Sequence, residues 1–309
     1  MPKPIRRIRP LGLVGLGLMG SALAERLLDA GYSVVGWDTA PKAREHLAKL
    51  AGTPAASAEE VFTQCDRILL SLPDSKITQA VLHAAVPFLR KNQIIADTST
   101  GDPQDAIAFS RQLASSGAIY LEATISGNSD QVRRGEVLVM VGGPKPAFDR
   151  SKKLFASFAA RAIYTGKSGR AAQMKLVTNL VLGLNRAALA EGLVFARALK
   201  LEGKQTLEIL RSSMAYSRIM DVKGEKMLSG DFKPQARLSQ HLKDVRLMLA
   251  AATKARTKLP LSETHCQILA AAEAAGLGQL DNSAIVRVIG KPIGRIRPIR
   301  RIGPIEPQQ

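Results

Sequence analysis

A glycine-punctuated turn near the start of the chain does most to restrict what the rest can fold into. Residues 11–38 read as a strand from Leu11 to Val14, a turn Gly15-Leu16-Gly17-Leu18-Met19-Gly20, a helix reaching Ala30, a stop at Gly31, and a strand from Ser33 to Trp37 that ends at Asp38. Such a βαβ unit puts its strands side by side and parallel, with the helix packed across them. In the turn, the first glycine permits the tight bend, the second lets the backbone approach a pyrophosphate, and the third lets helix and strand pack closely. The pyrophosphate then lies on a helix N-terminus, where unpaired N–H groups and the helix dipole favour an anion. The glycine spacing alone is weak evidence. With the flanking strand, the helix and an acidic residue 18 positions beyond Gly20, it predicts a dinucleotide site.

Asp38 falls where the adenosine ribose should lie. Its carboxylate can accept from the ribose hydroxyls while repelling a 2′-phosphate, which favours NAD. Lys42 and Arg44 lie just beyond and would soften that repulsion, so NADP stays open. An aspartate at a strand end also serves simply as a turn former.

More strands are predicted at helix-separated intervals: Ile68 to Leu72 before Pro73, Gln93 to Ala96 before Asp97, Ile119 to Ala123, and Val137 to Val141 before Gly142 and Gly143. Together they predict a mostly parallel, doubly wound sheet. Ligands bind such sheets beyond the carboxyl ends of the strands. That makes Ser71, Asp97-Thr98-Ser99-Thr100 and Ser126-Gly127 candidates for lining a cleft, although each could equally be a cap or a turn.

From Gly169 to Leu199 the chain keeps helical periodicity without a proline, and Gly203 supplies a plausible stop. Apolar residues wrap most of the circumference, the pattern of a helix buried between two bodies. Lys175 and Asn179 share one face, with Arg186 two turns on. The plain reading of Lys175 is a stem laid along apolar surface with its ammonium in water. Beyond this helix the sequence is helical and alanine-rich, punctuated by Gly230, Pro234 and Pro260. His241-Leu242-Lys243-Asp244 falls in one of those helices, where Lys243 and Asp244 are either a solvated charge pair or part of a cleft.

At 309 residues and 46% hydrophobic content the chain can bury more than one core. Cys65 and Cys266 stand far apart with no second thiol nearby, which fits a reducing cytoplasm and argues against a disulfide framework or a zinc site. His46, His83, His241 and His265 show no metal-ligand spacing, so no metal is expected. Lys3, Arg6, Arg7 and Arg9 before LGLVGLGLMG imitate a secretory signal. The run leads into Glu25, Arg26 and Asp29 instead of a cleavage site, and no other stretch free of charge approaches the length of a membrane span.

Taken in order, GLGLMG at 15–20, DTSTGDP at 97–103, ISG at 125–127, GKSGRAAQMKLVTN at 166–179 and LKDVRLML at 242–249 resemble the β-hydroxyacid dehydrogenase family over roughly Leu11 to Val288. The resemblance implies an α/β Rossmann domain over 11–166, then a long interdomain helix and an all-α C-terminal domain over 167–290, with basic tails at 1–10 and 291–309. It further implies Lys175 as catalytic acid/base, Asn179 and the Ser126-Gly127 segment holding a small carboxylate substrate, and a homodimer or homotetramer. Thr100 matches a cofactor-contacting threonine and Lys243 a lysine beside the nicotinamide. With residues 15–20, Asp38, Leu72 and Pro73, they form the expected cofactor set. The chain departs from the family at Glu122, Thr124, Asn128, Ala171 and Thr178, where aspartate, proline, glycine, glycine and asparagine are usual. Burial of Lys175 is expected to favour the neutral amine a base requires. An NAD-dependent oxidoreductase interconverting a small 3-hydroxy acid and its oxidised partner is the expected function.

The alternative is a catalytically idle dinucleotide-binding scaffold whose basic ends bind nucleic acid or another polyanion. Residues 4–10, 292–298 and 298–304 read PIRRIRP, PIGRIRP and PIRRIGP, and the ends carry 8 of the net charge of +18. A polyproline II helix would align their isoleucines along one edge; a solvated low-complexity tail needs no such role.

Overall fold

A computed structural model describes residues 9–290, and the proline, isoleucine and arginine repeats lie outside the described residues except for Arg9 and Pro10. In chain order the elements are β1 (Leu11–Val14), α1 (Leu18–Asp29), β2 (Val34–Trp37), α2 (Pro41–Lys49), β3 (Thr53–Pro54), α3 (Ala58–Gln64), β4 (Arg67–Leu70), α4 (Ser75–Ala85), β5 (Ile94–Asp97) and α5 (Pro103–Ser115). There follow β6 (Ile119–Ser126), α6 (Ser129–Arg133), β7 (Val137–Gly142), α7 (Lys145–Phe158), β8 (Ala159–Gly166), α8 (Arg170–Ala198), α9 (Gly203–Ser212), α10 (Ile219–Ser229), α11 (Leu238–Lys254) and α12 (Pro260–Ala272). The chain divides into two compact units between Leu180 and Val181.

The first unit is an eight-stranded sheet in the order β3-β2-β1-β4-β5-β6-β7-β8. Strands β1 to β6 run parallel, β7 is antiparallel to β6, and β8 is parallel to β7. Because strand side chains alternate, Leu11, Leu13, Leu121 and Ala123 enter a core with Phe148, Phe155 and Phe158 of α7. Val14, Leu70, Ile95 and Tyr120 enter a second core with Phe62 of α3 and Phe109 of α5. Helices therefore cover both faces, and the sequence order reverses between β1 and β4, where such sheets open a ligand crevice.

Several boundaries differ from the sequence reading. Strand β4 ends at Leu70, before Leu72, while β6 runs on to Ser126 because β7 pairs with it through Ser126↔Leu138. Strands β3 and β8 were not anticipated. The first is two residues at a sheet edge, and the second follows Phe158 with no turn residue between them. Gly203 does not stop α8. Lys200 takes the left-handed conformation (φ 61°), Leu201 N–H closes on the Ala196 carbonyl, and Gly203 opens α9 with Glu202 as its cap.

Nor is α8 buried all round. Val177 and Phe195 are 57% and 63% exposed, because an apolar circumference does not distinguish a face covered by this chain from one left uncovered. Among the described residues α8 is the one helix long and apolar enough to cross a membrane by length and composition. It also carries two buried cationic side chains, Lys175 and Arg186.

In the second, helical unit Lys223 of α10 bonds both oxygens of Asp281 at 2.9 Å, and the same carboxylate accepts from the amides of Gln235, Ala236 and Ser283. Burial alone would push Asp281 up, but Lys223 and these donors hold it down at about 2. Arg186, 2% exposed, is brought down to about 10 by burial against the pull of Asp281 and Asp244. His241 and His265 pack with ring centroids 5.2 Å apart, and burial followed by Arg186 lowers His265 to about 4.

Candidate active site

The turn after β1 is shaped by backbone crowding. Gly15 has φ +93°, and a Cβ there would lie 2.2 Å from the Ser71 carbonyl oxygen; one on Gly20 would lie 2.0 Å from the Gly15 carbonyl oxygen. Gly17 is different. Its φ of −68° suits any residue, and a Cβ there would have no neighbour within 4 Å. Gly17 is also the N-cap of α1 and offers no side-chain cap, so that helix opens at a residue with no side chain and with open space where one would stand. This is what a bound pyrophosphate needs. The Leu16 side chain is buried in the core, Met19 is partly buried against it, and Leu18 is exposed.

Asp38 sits just past β2. Its Oδ2 accepts from the Leu16 amide at 2.7 Å and its Oδ1 from the Ala40 amide at 2.8 Å, so the carboxylate ties the glycine turn to the neighbouring strand end. Arg44 donates to the carbonyl oxygens of Asp38 (2.5 Å) and Thr39 (3.3 Å), which directs that guanidinium nitrogen at backbone.

The loops after β4 and β5 are bonded to each other. Leu72 N–H donates to Ser99 Oγ at 2.9 Å, Thr98 Oγ donates to the Leu70 carbonyl, and the Ser99 amide donates to Asp97. Asp97, expected to line a cleft, is turned inward. Tyr120 Oη donates to it at 2.8 Å, and burial raises its pKa against those hydrogen bonds. Beneath these loops Ser75, Thr78, Asp97, Tyr120 and Glu122 line a cavity of about 20 Å³, room for a single water. Pro73 and Thr100 lie on the same two loops.

At the end of β6 the departures from the family pattern have local reasons. Thr124 keeps the amide a proline would lack and pairs with Met140 of β7. Asn128 caps α6, accepting from Gln131 N–H at 2.9 Å while the Gln131 side chain accepts from its amide. Ser126 and Gly127 lie between this paired strand and this capped helix.

Lys175 and Asn179 of α8 are each 7% exposed. Lys175 Nζ donates to the Ile125 carbonyl at 2.6 Å, one residue before Ser126, so the lysine is held at the end of β6. Thr178 donates to the Lys175 carbonyl. The first turn of α8 carries a feature that the sequence reading passed over. Glu122 accepts from the Gly169 and Ala172 amides at 2.5 and 2.9 Å, and burial raises its pKa while these amides and that of Ala171 oppose the rise. Thus the first unit gathers the glycine turn, Asp38, Leu72, Pro73 and Thr100 at the ends of parallel strands, and joins Lys175 to the Ser126 segment. Lys243 belongs to the second unit, on α11, with Nζ 3.6 Å from a largely buried Asp244 oxygen.

Comparison with known proteins agrees with this anatomy. Residues 10–166 match a family described as the NAD binding domain of 6-phosphogluconate dehydrogenase, and residues 169–289 match one described as NAD-binding of NADP-dependent 3-hydroxyisobutyrate dehydrogenase. The 2-hydroxy-3-oxopropionate reductase of Escherichia coli is 31% identical over 90% of this chain and 96% of its own. The L-threonate dehydrogenase of Cupriavidus necator is 28% identical over 91% and 96%. A crystal structure of a 3-hydroxyisobutyrate dehydrogenase from Salmonella typhimurium superposes with a TM-score of 0.84 at 26% identity, covering 91% of this chain and 99% of that one.

Proposed function

Since the chain belongs to the β-hydroxyacid dehydrogenase family, we propose that it interconverts a small 3-hydroxy acid and its semialdehyde or keto acid, with Lys175 as general acid and base. It is an NAD(P)-dependent oxidoreductase acting on CH–OH groups. The uncapped start of α1 beside Gly17 and the carboxylate of Asp38 at the end of β2 fit such a cofactor. Residues 15–20, Asp38, Leu72, Pro73 and Thr100 would hold it, with Lys243 added on the strength of the family pattern. When bound, the nicotinamide accepts or returns the hydride.

The observation that carries the reading is the buried Lys175 amine bonded to the Ile125 carbonyl beside Ser126 and Gly127. In the oxidising direction the neutral amine takes the proton of the substrate hydroxyl; in reduction the ammonium gives it back to the forming alkoxide. Asn179, one turn along the same helix face, orients that hydroxyl. Ser126 and the Gly127 amide hold the carboxylate, so that geometry is set before transfer. Asp38 favours NAD over NADP, because a 2′-phosphate would face its carboxylate.

The relatives' names point to a short, hydroxylated carboxylate as the substrate class. The exposed apolar residues Met174, Val177, Val181 and Phe195 along α8 support assembly into a homodimer or homotetramer. The buried free thiols of Cys65 and Cys266 support a cytoplasmic setting.

The test is a screen of glycerate, L-threonate and 3-hydroxyisobutyrate for NADH formation, run on the full chain and on Lys175→Ala. One acid should be oxidised, with kcat lower in the variant by about 10²–10⁴-fold while NADH still binds. Near-normal turnover by Lys175→Ala would remove the lysine from its role.

A further inference from the structure

The carboxylate of Glu122 is spent entirely inside the protein, on backbone amides that the sequence does not mark. Helix α8 opens at Arg170 without a capping side chain of its own: the residue before it is Gly169, and Ser168 Oγ donates to Ser110 Oγ instead. Its first amides are satisfied from β6, where Glu122 Oε2 takes the Gly169 N–H and Oε1 takes the Ala172 N–H. A carboxylate on a helix N-terminus is also favoured by the dipole.

The same strand then holds the same helix a second time. Lys175 lies three residues past Ala172, about 4.5 Å along the helix axis, and its Nζ is bonded to the Ile125 carbonyl, three residues past Glu122. The ladder from Glu122↔Gly142 to Ser126↔Leu138 is unbroken, so Glu122, Thr124 and Ser126 share one face of β6. The face that seats the helix therefore also carries Ser126.

Strand β7 makes room for the carboxylate. Gly142 pairs with Glu122, and a Cβ there would lie 2.3 Å from Glu122 Oε2 and 3.2 Å from the Ala171 amide nitrogen. Asp97 and Tyr120 interact with it electrostatically: beside the larger effect of burial, Asp97 raises the Glu122 pKa, and Glu122 in turn contributes to raising that of Tyr120. Among the described residues, the hydrogen-bond partners of the Glu122 carboxylate are the amides of Gly169 and Ala172.

We propose that Glu122 is a positioning residue for Lys175, a buried carboxylate on β6 that sets the height and rotation of α8 so that the lysine meets the end of the same strand. The proposal rests on the acid/base role of Lys175 given above. Two attachments to one strand fix the helix both along its axis and about it, whereas the Lys175 bond alone would leave its first turn free to lift. Displacement of a reacting group by about 1 Å can cost about 10²-fold in rate.

The experiment uses the full chain with NAD and whichever of glycerate, L-threonate or 3-hydroxyisobutyrate is oxidised. Glu122→Gln keeps the shape but sets an NH₂ group against the helix amides. Glu122→Asp keeps the charge and shortens the reach. For each, kcat, KM and the pH profile of kcat/KM are measured with NADH affinity, melting temperature and the folded fraction by circular dichroism.

The expected result for Glu122→Gln is a kcat per folded molecule lowered about 10- to 100-fold, with KM and NADH affinity nearly unchanged and the acid limb of the profile displaced. Glu122→Asp should fall between it and the original. A purely structural residue would lower the melting temperature and the folded fraction, leaving kcat per folded molecule and the acid limb in place; that outcome in either variant overturns the proposal. If Glu122→Gln does not fold, the aspartate variant decides alone. Loss of turnover in Lys175→Ala together with unaltered Glu122 variants rejects only the positioning role, while an active Lys175→Ala rejects the assignment beneath it.

Discussion

Substituting alanine at Gly17 should separate binding from folding, because the glycines of the turn are small for different reasons. At Gly17 a methyl group meets nothing within 4 Å and the φ of −68° is ordinary, so Gly17→Ala should leave stability within about 0.5 kcal/mol. At Gly20 the same methyl would lie 2.0 Å from the Gly15 carbonyl oxygen, where both sides are backbone. Overpacking of that kind costs about 1–3 kcal/mol or more, and each kcal/mol is worth about 2–4 °C in a unit of this size. The cofactor should invert the order of harm. A methyl at Gly17 occupies the approach of a pyrophosphate to the α1 amides and removes at least one charge-assisted hydrogen bond, worth about 1.5–3 kcal/mol, or about 10- to 100-fold in Kd. Thermal melts with and without NADH read both effects together. At NADH about a hundredfold above Kd the unaltered protein gains about 2.7 kcal/mol; a hundredfold weaker variant gains only about 0.4. Unchanged NADH stabilisation of Gly17→Ala would show that no phosphate approaches there. A Gly20→Ala protein melting normally would show that the turn relaxes more easily than its contacts indicate.

Asp38→Asn keeps an acceptor for the Leu16 amide but sets its NH₂ against the Ala40 amide, so it should narrow the preference for NAD over NADP about tenfold at a cost of about 1 kcal/mol to the turn. The ratio of kcat/KM values measures this, and a higher value for NADP in the unaltered protein would contradict the role given to Asp38. Asp281→Asn should cost about 3–5 kcal/mol near neutrality, because it leaves Lys223 buried without its counter-charge. The folded pKa of Asp281 is held at about 2 by Lys223 against the effect of burial, below an unfolded value near 3.9. Its contribution is therefore complete above about pH 4 and lost as the pH falls towards 2, a change of about 2 kcal/mol. Urea unfolding from pH 7 to pH 3 checks the sign, since the variant should lack that part of the acid loss.

Much of the first unit was legible because its signals are local. A strand, a glycine turn and a helix within residues 11–30 leave few alternatives, and apolar runs bounded by Gly, Pro or Asp located β4 to β7 to within a few residues. The misses have physical reasons. Strand β8 begins directly after Phe158 with no breaker, and as an edge strand with Ala160, Arg161 and Ile163 exposed it lacks the continuous apolar run of its neighbours. Gly203 resembled a helix stop, yet Lys200 paid the left-handed cost three residues earlier and Glu202 made the glycine a helix start. The extension of β6 to Ser126 depends on β7, which pairs with it from more than ten residues away.

The site shows the same division between local and distant causes, most clearly at the starts of α1 and α8. Each helix is entered through a glycine, Gly17 or Gly169, and neither glycine offers a capping oxygen. The opening amides of a helix must nonetheless find acceptors. At α8 the acceptor is Glu122, 47 residues back in sequence and surrounded by strand-forming neighbours, so nothing within the helix identifies it. Backbone amides carry no side-chain identity, and a glutamate inside Leu121-Glu122-Ala123-Thr124-Ile125 reads only as a misplaced charge. The readable signal is the coincidence of an uncapped helix start with an acid inside an apolar strand, each of which needs what the other supplies. At α1 the N-cap Gly17 supplies no side-chain cap, and a Cβ there would meet nothing within 4 Å among the described residues. One glycine-entered start is closed by a carboxylate of the fold; under the function proposed above, the other would receive an anion from outside, the cofactor's pyrophosphate.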